Sequence, residues 1–600
     1  MNNVIFILVD SVIWDCIGAT RTKVSTTPFI DSLKDESITA NKLFSYGPYT
    51  NAATRSLYTG RLALDDFGYY FQLNTSPTNH YKIFHENGYE TYGFYYPYYI
   101  VGKEMRKHID HTTYLGGFVF SSEWIGIFEY YSKLKKSRKL EDNELLILTE
   151  RTRLLFEVWI KFCEDLLNDD ESGFFLNRLI ERNNISHLKD ILENEHLEFD
   201  NNPISYVNTI LDLGLGHKLS NLNTIDVDNL IDRDYLNKEI YLRYKTFFSK
   251  VDKNNRKANR WKNFPGLKRL FYGIVRLLKN WDSKEMMFVA NYLLCIDAMK
   301  TYKKASQKHW QDIASARVQL WHAADIIENR HSEKPYFMSL HFLEPHNSVN
   351  FFSYDIQDKN AHEEEINVLS SYVDKLGTGF VGNLTYYLSI RYVDFCLEEF
   401  CNRLKACNQW ENTTLVLVAD HGSSYSFSPL HNAHVNCFDE ECYHVPMVIR
   451  HPGIIKQEFN DYYNSKDVLP TLLDVLGIHK PKEMTGVSMF DKNYRKKDYV
   501  MTEYMGPGNP DMLHQRIWYS IRDNHYTVAY KVSIDEKFED GELAEVYDLS
   551  KDPNAYYNVA ENFDTKRISY LLSPLKKRHE ELRNNTIQFI DDMKKGKINM

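Results

Sequence analysis

The chain has 600 residues, 43% of them hydrophobic, with 42 Tyr and 34 Phe; this is enough for one large domain with additions, or for two to three domains. A net charge of −10 speaks against a general nucleic-acid binder, and eight cysteines without a C-x-x-C pair or regular spacing speak against a disulfide framework. No stretch reaches 18 consecutive apolar residues, and the apolar run at 4–9 is too short for a signal-peptide core, so the expectation is a soluble, cytoplasmic protein with no transmembrane segment.

Residues Val4 to Val9 read as a buried strand that delivers Asp10 and Ser11 at its carboxyl end. Thr27 to Leu33 suggests a short helix and Ile38 to Phe44 a connecting strand. A Gly47-Pro48 turn then leads into small residues at helical spacing that end at Gly60, which puts Thr50 at a helix N-terminus. There a side-chain oxygen can cap the helix, the commoner job, or act as a nucleophile where the helix end favours an anion. Asn79 to Phe84 reads as a helix, and 88–96 as a turn followed by a further parallel strand.

From 118 to 329 long amphipathic stretches rich in Leu, Lys, Glu and Asn form a helical insertion between strands of one sheet. Within it, residues 256–281 are basic and aromatic with no acidic residue. That composition suits a helix in peripheral contact with a membrane surface or an anionic ligand, but a solvated basic face packed on the insertion's own core is the commoner reason for it and the preferred reading. Tyr336 to Phe342 resumes the sheet and is followed by His346, a position where a histidine is more often structural than a ligand. Asn383 to Leu404 is a long amphipathic helix.

Leu415 to Ala419 is the clearest buried strand, and it stops at Asp420, His421 and Gly422. Ligands bind at the carboxyl ends of such strands. An oxygen and a nitrogen donor side by side there suit a divalent cation, zinc above all, with manganese or calcium as alternatives. The same tripeptide also reads as a plain turn with a helix cap. His431, His434 and His444 follow, then a strand at 445–450 and a helix at 467–476. From about 500 the pattern changes to short strands and a charged terminal helix at 564–594.

Taken together these segments resemble the alkaline phosphatase superfamily in its sulfatase-like branch: ILVDS, TPFIDSL, TGR after the nucleophile helix, GYET, ADHG, VPMVIRHPG, DVLPTLLDVLGI and VYDLSKDP. The resemblance implies an α/β fold with a mixed, mostly parallel central sheet flanked by helices. It places the catalytic core at 1–117 and 330–499, the helical insertion at 118–329 and a small C-terminal α+β subdomain at 500–600. The nucleophile position departs from the sulfatases, which carry Cys or Ser there for oxidation to formylglycine. Thr50 occupies it here, Ala52 the next fixed position and Thr54 the third, with Arg55 one residue late.

The histidines resemble those of bacterial phosphoethanolamine transferases, in Leu340-His341 with His346 five residues on, and in the stretch from His431 to His444. Those enzymes use a threonine nucleophile. The resemblance implies that Asp10, Thr50, Asp420 and His421 hold one metal, and that His346 and His431 serve a second metal or the phosphate. It also implies that His434 matches a substrate-binding lysine of the sulfatases, while Asn51 either donates to a phosphoryl oxygen or fills the helix's first turn. The expected activity is metal-dependent transfer of a phosphoethanolamine-like group, through a phosphothreonine, from a phosphodiester or nucleotide-activated donor to a sugar or glycan hydroxyl. The alternatives are a phosphodiesterase, phosphonate-ester hydrolase or sulfatase of the same superfamily, and a glycan-binding protein that has lost catalysis.

Overall fold

The computed structural model describes residues 1–20, 25–69, 73–95, 102–114, 120–168, 182–214, 316–346, 384–423, 440–492, 498–505, 516–553 and 557–598, with isolated positions between these ranges. Two compact units emerge: Met1–Thr50 with Leu236–Tyr463, and Asn51–Tyr235 with Asn464–Met600.

In the first unit a mixed, mostly parallel sheet runs in the order Tyr336–Phe342, Asn3–Val9, Thr413–Ala419, Met447–Arg450, Ser37–Ala40, Gln457–Phe459. The 3–9 strand pairs in parallel with both the 336–342 and the 413–419 strands, and all three are buried along their whole length. Continuous apolar runs are what a strand covered on both faces requires. Met447–Arg450 is antiparallel to its neighbours on both sides. In register, Val9 lies beside Ala419 and Leu8 beside His341. Three adjacent strand ends therefore converge within a few residues of Asp10. Helices Ala316–Asn329 and Leu384–Ala406 belong to the same unit. Asp394 on the second of these accepts the backbone N–H groups of Phe29 and Ile30 at 3.0 and 2.8 Å. It thereby satisfies the start of the five-residue helix Pro28–Ser32 from far along the sequence.

The second unit contains the parallel strand pair Glu90–Tyr95 and His111–Tyr114. Its helices Phe120–Ser137, Asp142–Asn168, Arg182–Asn201 and Pro203–Leu213 pack on one another, as the amphipathic pattern of the insertion predicts. A four-stranded antiparallel meander, Tyr499–Tyr504, Arg516–Asp523, Tyr526–Ser533 and Glu542–Asp548, precedes the terminal helix Ser569–Lys594. Arg578 of that helix reaches Glu503 with two 2.7 Å hydrogen bonds and Asp65 at 3.0 Å, all three groups being buried.

Most of the basic stretch 256–281 lies outside the described residues; of those described, Leu270, Ile274 and Leu277 are exposed. Among the described residues no helix is long and apolar enough to cross a membrane.

Candidate active site

Because the 3–9 and 413–419 strands are adjacent and parallel, Asp10 and Asp420 emerge side by side, 1% and 0% exposed. Ser11 turns the chain at once, with a left-handed φ of 63°, a conformation that is costly for a non-glycine residue. Three bonds hold it there. Its N–H donates to Asp420 Oδ1 at 3.1 Å, its hydroxyl donates to Asp10 Oδ1 at 2.7 Å, and its carbonyl accepts from the Tyr386 hydroxyl at 2.7 Å. The same Tyr386 oxygen accepts from Ile13 N at 3.0 Å, so one phenol pins both sides of the turn.

Asp420 Oδ1 also accepts from His421 N at 2.7 Å. Its other oxygen, Oδ2, is buried and has no hydrogen bond. His421 is oriented by its own backbone, since Nδ1 lies 2.6 Å from the carbonyl of Gly422. A carbonyl only accepts, so Nδ1 carries the proton and Nε2 presents its lone pair. That nitrogen lies 3.5 Å from Asp10 Oδ1, 3.6 Å from Asp420 Oδ2 and 3.4 Å from the Thr50 hydroxyl. Thr50 opens the helix Thr50–Thr59, and its hydroxyl donates to Asp10 Oδ2 at 3.1 Å.

A further imidazole joins them. His341 lies within the 336–342 strand and its Nε2 is 3.4 Å from Asp10 Oδ2. Side chains alternate along a strand, so the residue paired with Leu8 shares the face of Leu8 and Asp10. Gln319 fixes the backbone at this point, donating to the His341 carbonyl at 2.6 Å and accepting from its N–H at 3.4 Å. Asp10, His341 and Asp420 each offer a donor atom within 4.8 Å of the others.

The electrostatics fit a cation. Burial alone raises Asp10, but the neighbouring imidazoles of His341, His346 and His421 hold its carboxyl below the usual carboxylate range. Burial, and then the neighbouring charge of Asp10, push Asp420 up. Two buried carboxylates this close resist a shared negative charge unless a positive ion lies between them. The bare Oδ2 of Asp420, the lone pair of His421 Nε2 and the two carboxylates form a donor set suited to a divalent metal.

Of the residues expected from the sequence, Asp10, Thr50, Asp420 and His421 come together in this way. His346 is half-buried, its Nδ1 has no hydrogen bond, and its imidazole is among those that lower Asp10. Asn51 is half-buried on the first turn of the helix that Thr50 opens. His431 and His434 lie outside the described residues. His341 was given no role by the sequence reading, although a single buried histidine at an inward position of an apolar strand was there as a signal.

The family model described as Sulfatase matches residues 2–188 and 240–478, and that of the N-sulphoglucosamine sulphohydrolase C-terminal region matches 436–585. An arylsulfatase of Clostridium perfringens is 26% identical over 286 residues, covering 43% of this chain and 56% of that protein. Lipoteichoic acid synthase 1 of Bacillus subtilis is 26% identical over 177 residues, covering 27% of this chain and 26% of that protein. In its first match the chain spans about half the length of the curated relative. The structure of a phosphonate monoester hydrolase of Agrobacterium radiobacter is 14% identical with a TM-score of 0.46, covering 98% of this chain and 96% of that one.

Proposed function

The chain belongs to the sulfatase family, and on that premise we propose that this metal-dependent enzyme of the alkaline phosphatase superfamily cleaves phosphorus esters, with Thr50 as the nucleophile. One observation carries the reading: the Thr50 hydroxyl lies 3.1 Å from Asp10 Oδ2 and 3.4 Å from the lone pair of His421 Nε2. A threonine cannot be oxidised to the aldehyde on which sulfate-ester hydrolysis in this family depends, so the unmodified alcohol must do the chemistry.

Asp10, Asp420 and His421, with the Thr50 oxygen, would hold the metal, and zinc is the ion their donor chemistry favours. Such an ion supplies positive charge that lowers the pKa of an alcohol and neutralises phosphoryl oxygens. The chain's own residues do the rest. Thr50 Oγ1, oriented by its hydrogen bond to Asp10 Oδ2, forms a bond to phosphorus as its proton is lost to the solvent side. The leaving oxygen departs with the electron pair of the broken P–O bond and takes a proton from the solvent side. Water then attacks the phosphorus and gives up a proton to solvent, the P–Oγ1 bond breaks to release the product, and Thr50 Oγ1 takes a proton from solvent to restore the hydroxyl. His346 supplies a donor to the phosphoryl oxygens, with His431, His434 and Asn51 as further candidates. The substrate class is a phosphodiester or phosphonate monoester borne on a sugar or glycan.

A second reading replaces that water with a sugar hydroxyl, making the enzyme a transferase of a phosphoethanolamine-like group. The similarity to lipoteichoic acid synthase 1 over 177 residues favours it. Incubation with a labelled phosphodiester or phosphonate monoester, with and without glycan acceptors, separates the two by the product. Intact-mass analysis with a slow substrate is expected to place one phosphoryl adduct on Thr50. An adduct elsewhere, or sulfate release from an aryl sulfate by the unmodified chain, would overturn the proposal.

A further inference from the structure

The mechanism above leaves the buried imidazole of His341 without a part. It is 2% exposed, its backbone is held on both polar groups by Gln319, and its Nε2 faces the carboxylate oxygen that accepts the Thr50 hydroxyl's hydrogen bond. An imidazole placed only to support a carboxylate needs one contact. This one also belongs to the group in which Asp10, His341 and Asp420 offer donors within 4.8 Å of one another, and in which Asp420 Oδ2 has no hydrogen bond.

We propose that His341 is a direct metal ligand, giving a single cation site with two carboxylates, Asp10 and Asp420, and two imidazoles, His341 and His421, drawn from three adjacent strands, with the Thr50 oxygen as a fifth donor. Two neighbouring donors on one zinc, at bond lengths of about 2.0–2.2 Å, stand roughly 3–3.5 Å apart. Here His341 Nε2 is 3.4 Å from Asp10 Oδ2, while His421 Nε2 is 3.5 Å from Asp10 Oδ1 and 3.6 Å from Asp420 Oδ2. Two nitrogen donors also decide the kind of ion: calcium takes oxygen ligands, whereas imidazole suits zinc and its transition-metal neighbours. The 336–342 strand thus supplies metal selectivity to a site whose nucleophile comes from elsewhere.

This inference rests on the metal-dependent reading of the site, but its test does not depend on the substrate. X-ray absorption of the zinc-loaded protein is expected to show two imidazoles on the ion. His341→Asn and His421→Asn should each show one, and His346→Asn should still show two. Chelator competition should show zinc binding weakened more than about 100-fold in His341→Asn, beyond the ~10–100-fold typical of a residue that only supports a ligand. Millimolar calcium should fail to displace zinc from the unaltered protein. His341→Gln provides a second variant should the first fold poorly, and the unaltered protein alone suffices for the imidazole count. A count of one in that protein, or an unchanged count in a folded His341 variant, overturns the proposal. Thr50→Ala should retain two imidazoles whatever its activity, so an error in the proposed reaction leaves this result standing.

Discussion

His421 and Gly422 fix one another: the imidazole Nδ1 donates to the glycine carbonyl at 2.6 Å, and the glycine's own Cα sits where a β-carbon would lie 1.8 Å from the carbonyl oxygen of Glu441. The tautomer that turns Nε2 toward Thr50 and the carboxylates therefore depends on a residue with no side chain. Gly422→Ala must break the bonds from Gly422 N to Cys442 O at 2.8 Å and from Ser423 N to Glu441 O at 3.0 Å, which tilts the His421 ring. The expected result is a loss of about 1–3 kcal/mol in stability together with weakened zinc binding, read by thermal melting and by zinc titration. Wild-type zinc affinity in this variant would show that the tautomer is set elsewhere.

On the proposed mechanism Thr50→Ala removes the nucleophile and one of the metal's oxygen donors but leaves both carboxylates and both imidazoles, so kcat is expected to fall by at least about a thousandfold with most of the zinc content kept. Thr50→Ser keeps the alcohol and should retain a measurable fraction of turnover. Steady-state kinetics with elemental analysis of each variant checks the pair; an active Thr50→Ala protein would remove the nucleophile from the account.

Metal removal tests the buried carboxylates directly. With Asp10 and Asp420 at 1% and 0% exposure, stripping a cation restores their repulsion. A chelator is therefore expected to lower the melting temperature reversibly, with zinc at about 100 times its dissociation constant returning ~2.7 kcal/mol. Calcium should restore less than zinc or manganese. An unchanged melting curve after verified metal loss would mean that the carboxylates share a proton instead.

Asp10, Asp420 and His421 were legible in the sequence because each follows an unbroken apolar run, and such a run followed by a polar turn is a local signal of a strand end. Thr50 was legible as a helix start for the same kind of reason: a Gly-Pro turn before it and small residues at helical spacing after it. His341 was not. Its part follows from lateral register, Leu8 beside His341, and that pairing joins residues more than 300 positions apart with no trace in local periodicity. Arg578 carries no such signal either: it is 3% exposed, but nothing local distinguishes it from the other charged residues of the terminal helix.

That arginine yields a stability prediction. Its two 2.7 Å bonds to Glu503 and its 3.0 Å contact with Asp65 neutralise carboxylates at 0% and 5% exposure. Arg578→Met leaves Glu503 buried without its cation, while Asp65 keeps Arg61 at 3.7 Å, at an expected cost of about 3–5 kcal/mol. Adding Glu503→Gln should recover part of it, because the amide carries no charge to compensate. Denaturant midpoints of the two variants decide the matter, and equal midpoints for single and double variants would mean that the pair is not coupled.

Acid sensitivity should arise at His80, which is 1% exposed and stacked on Tyr58 with ring centroids 4.2 Å apart. Burial pushes its imidazole down to about 3 from an ordinary 6.5, against a smaller opposing effect of its hydrogen bond to the Tyr58 backbone. The folded chain therefore keeps His80 neutral while the unfolded chain protonates it below about 6.5. Its contribution to stability is present in full above that pH and is lost as the pH falls through the window from 6.5 toward 3. At pH 5 the loss amounts to about 2 kcal/mol, from ~1.4 kcal/mol per pH unit. His80→Gln cannot take up the proton, so between pH 7 and pH 5 its denaturant midpoint should fall less than that of the unaltered chain by the corresponding amount. Parallel midpoints across that interval would show that the imidazole titrates alike in both states.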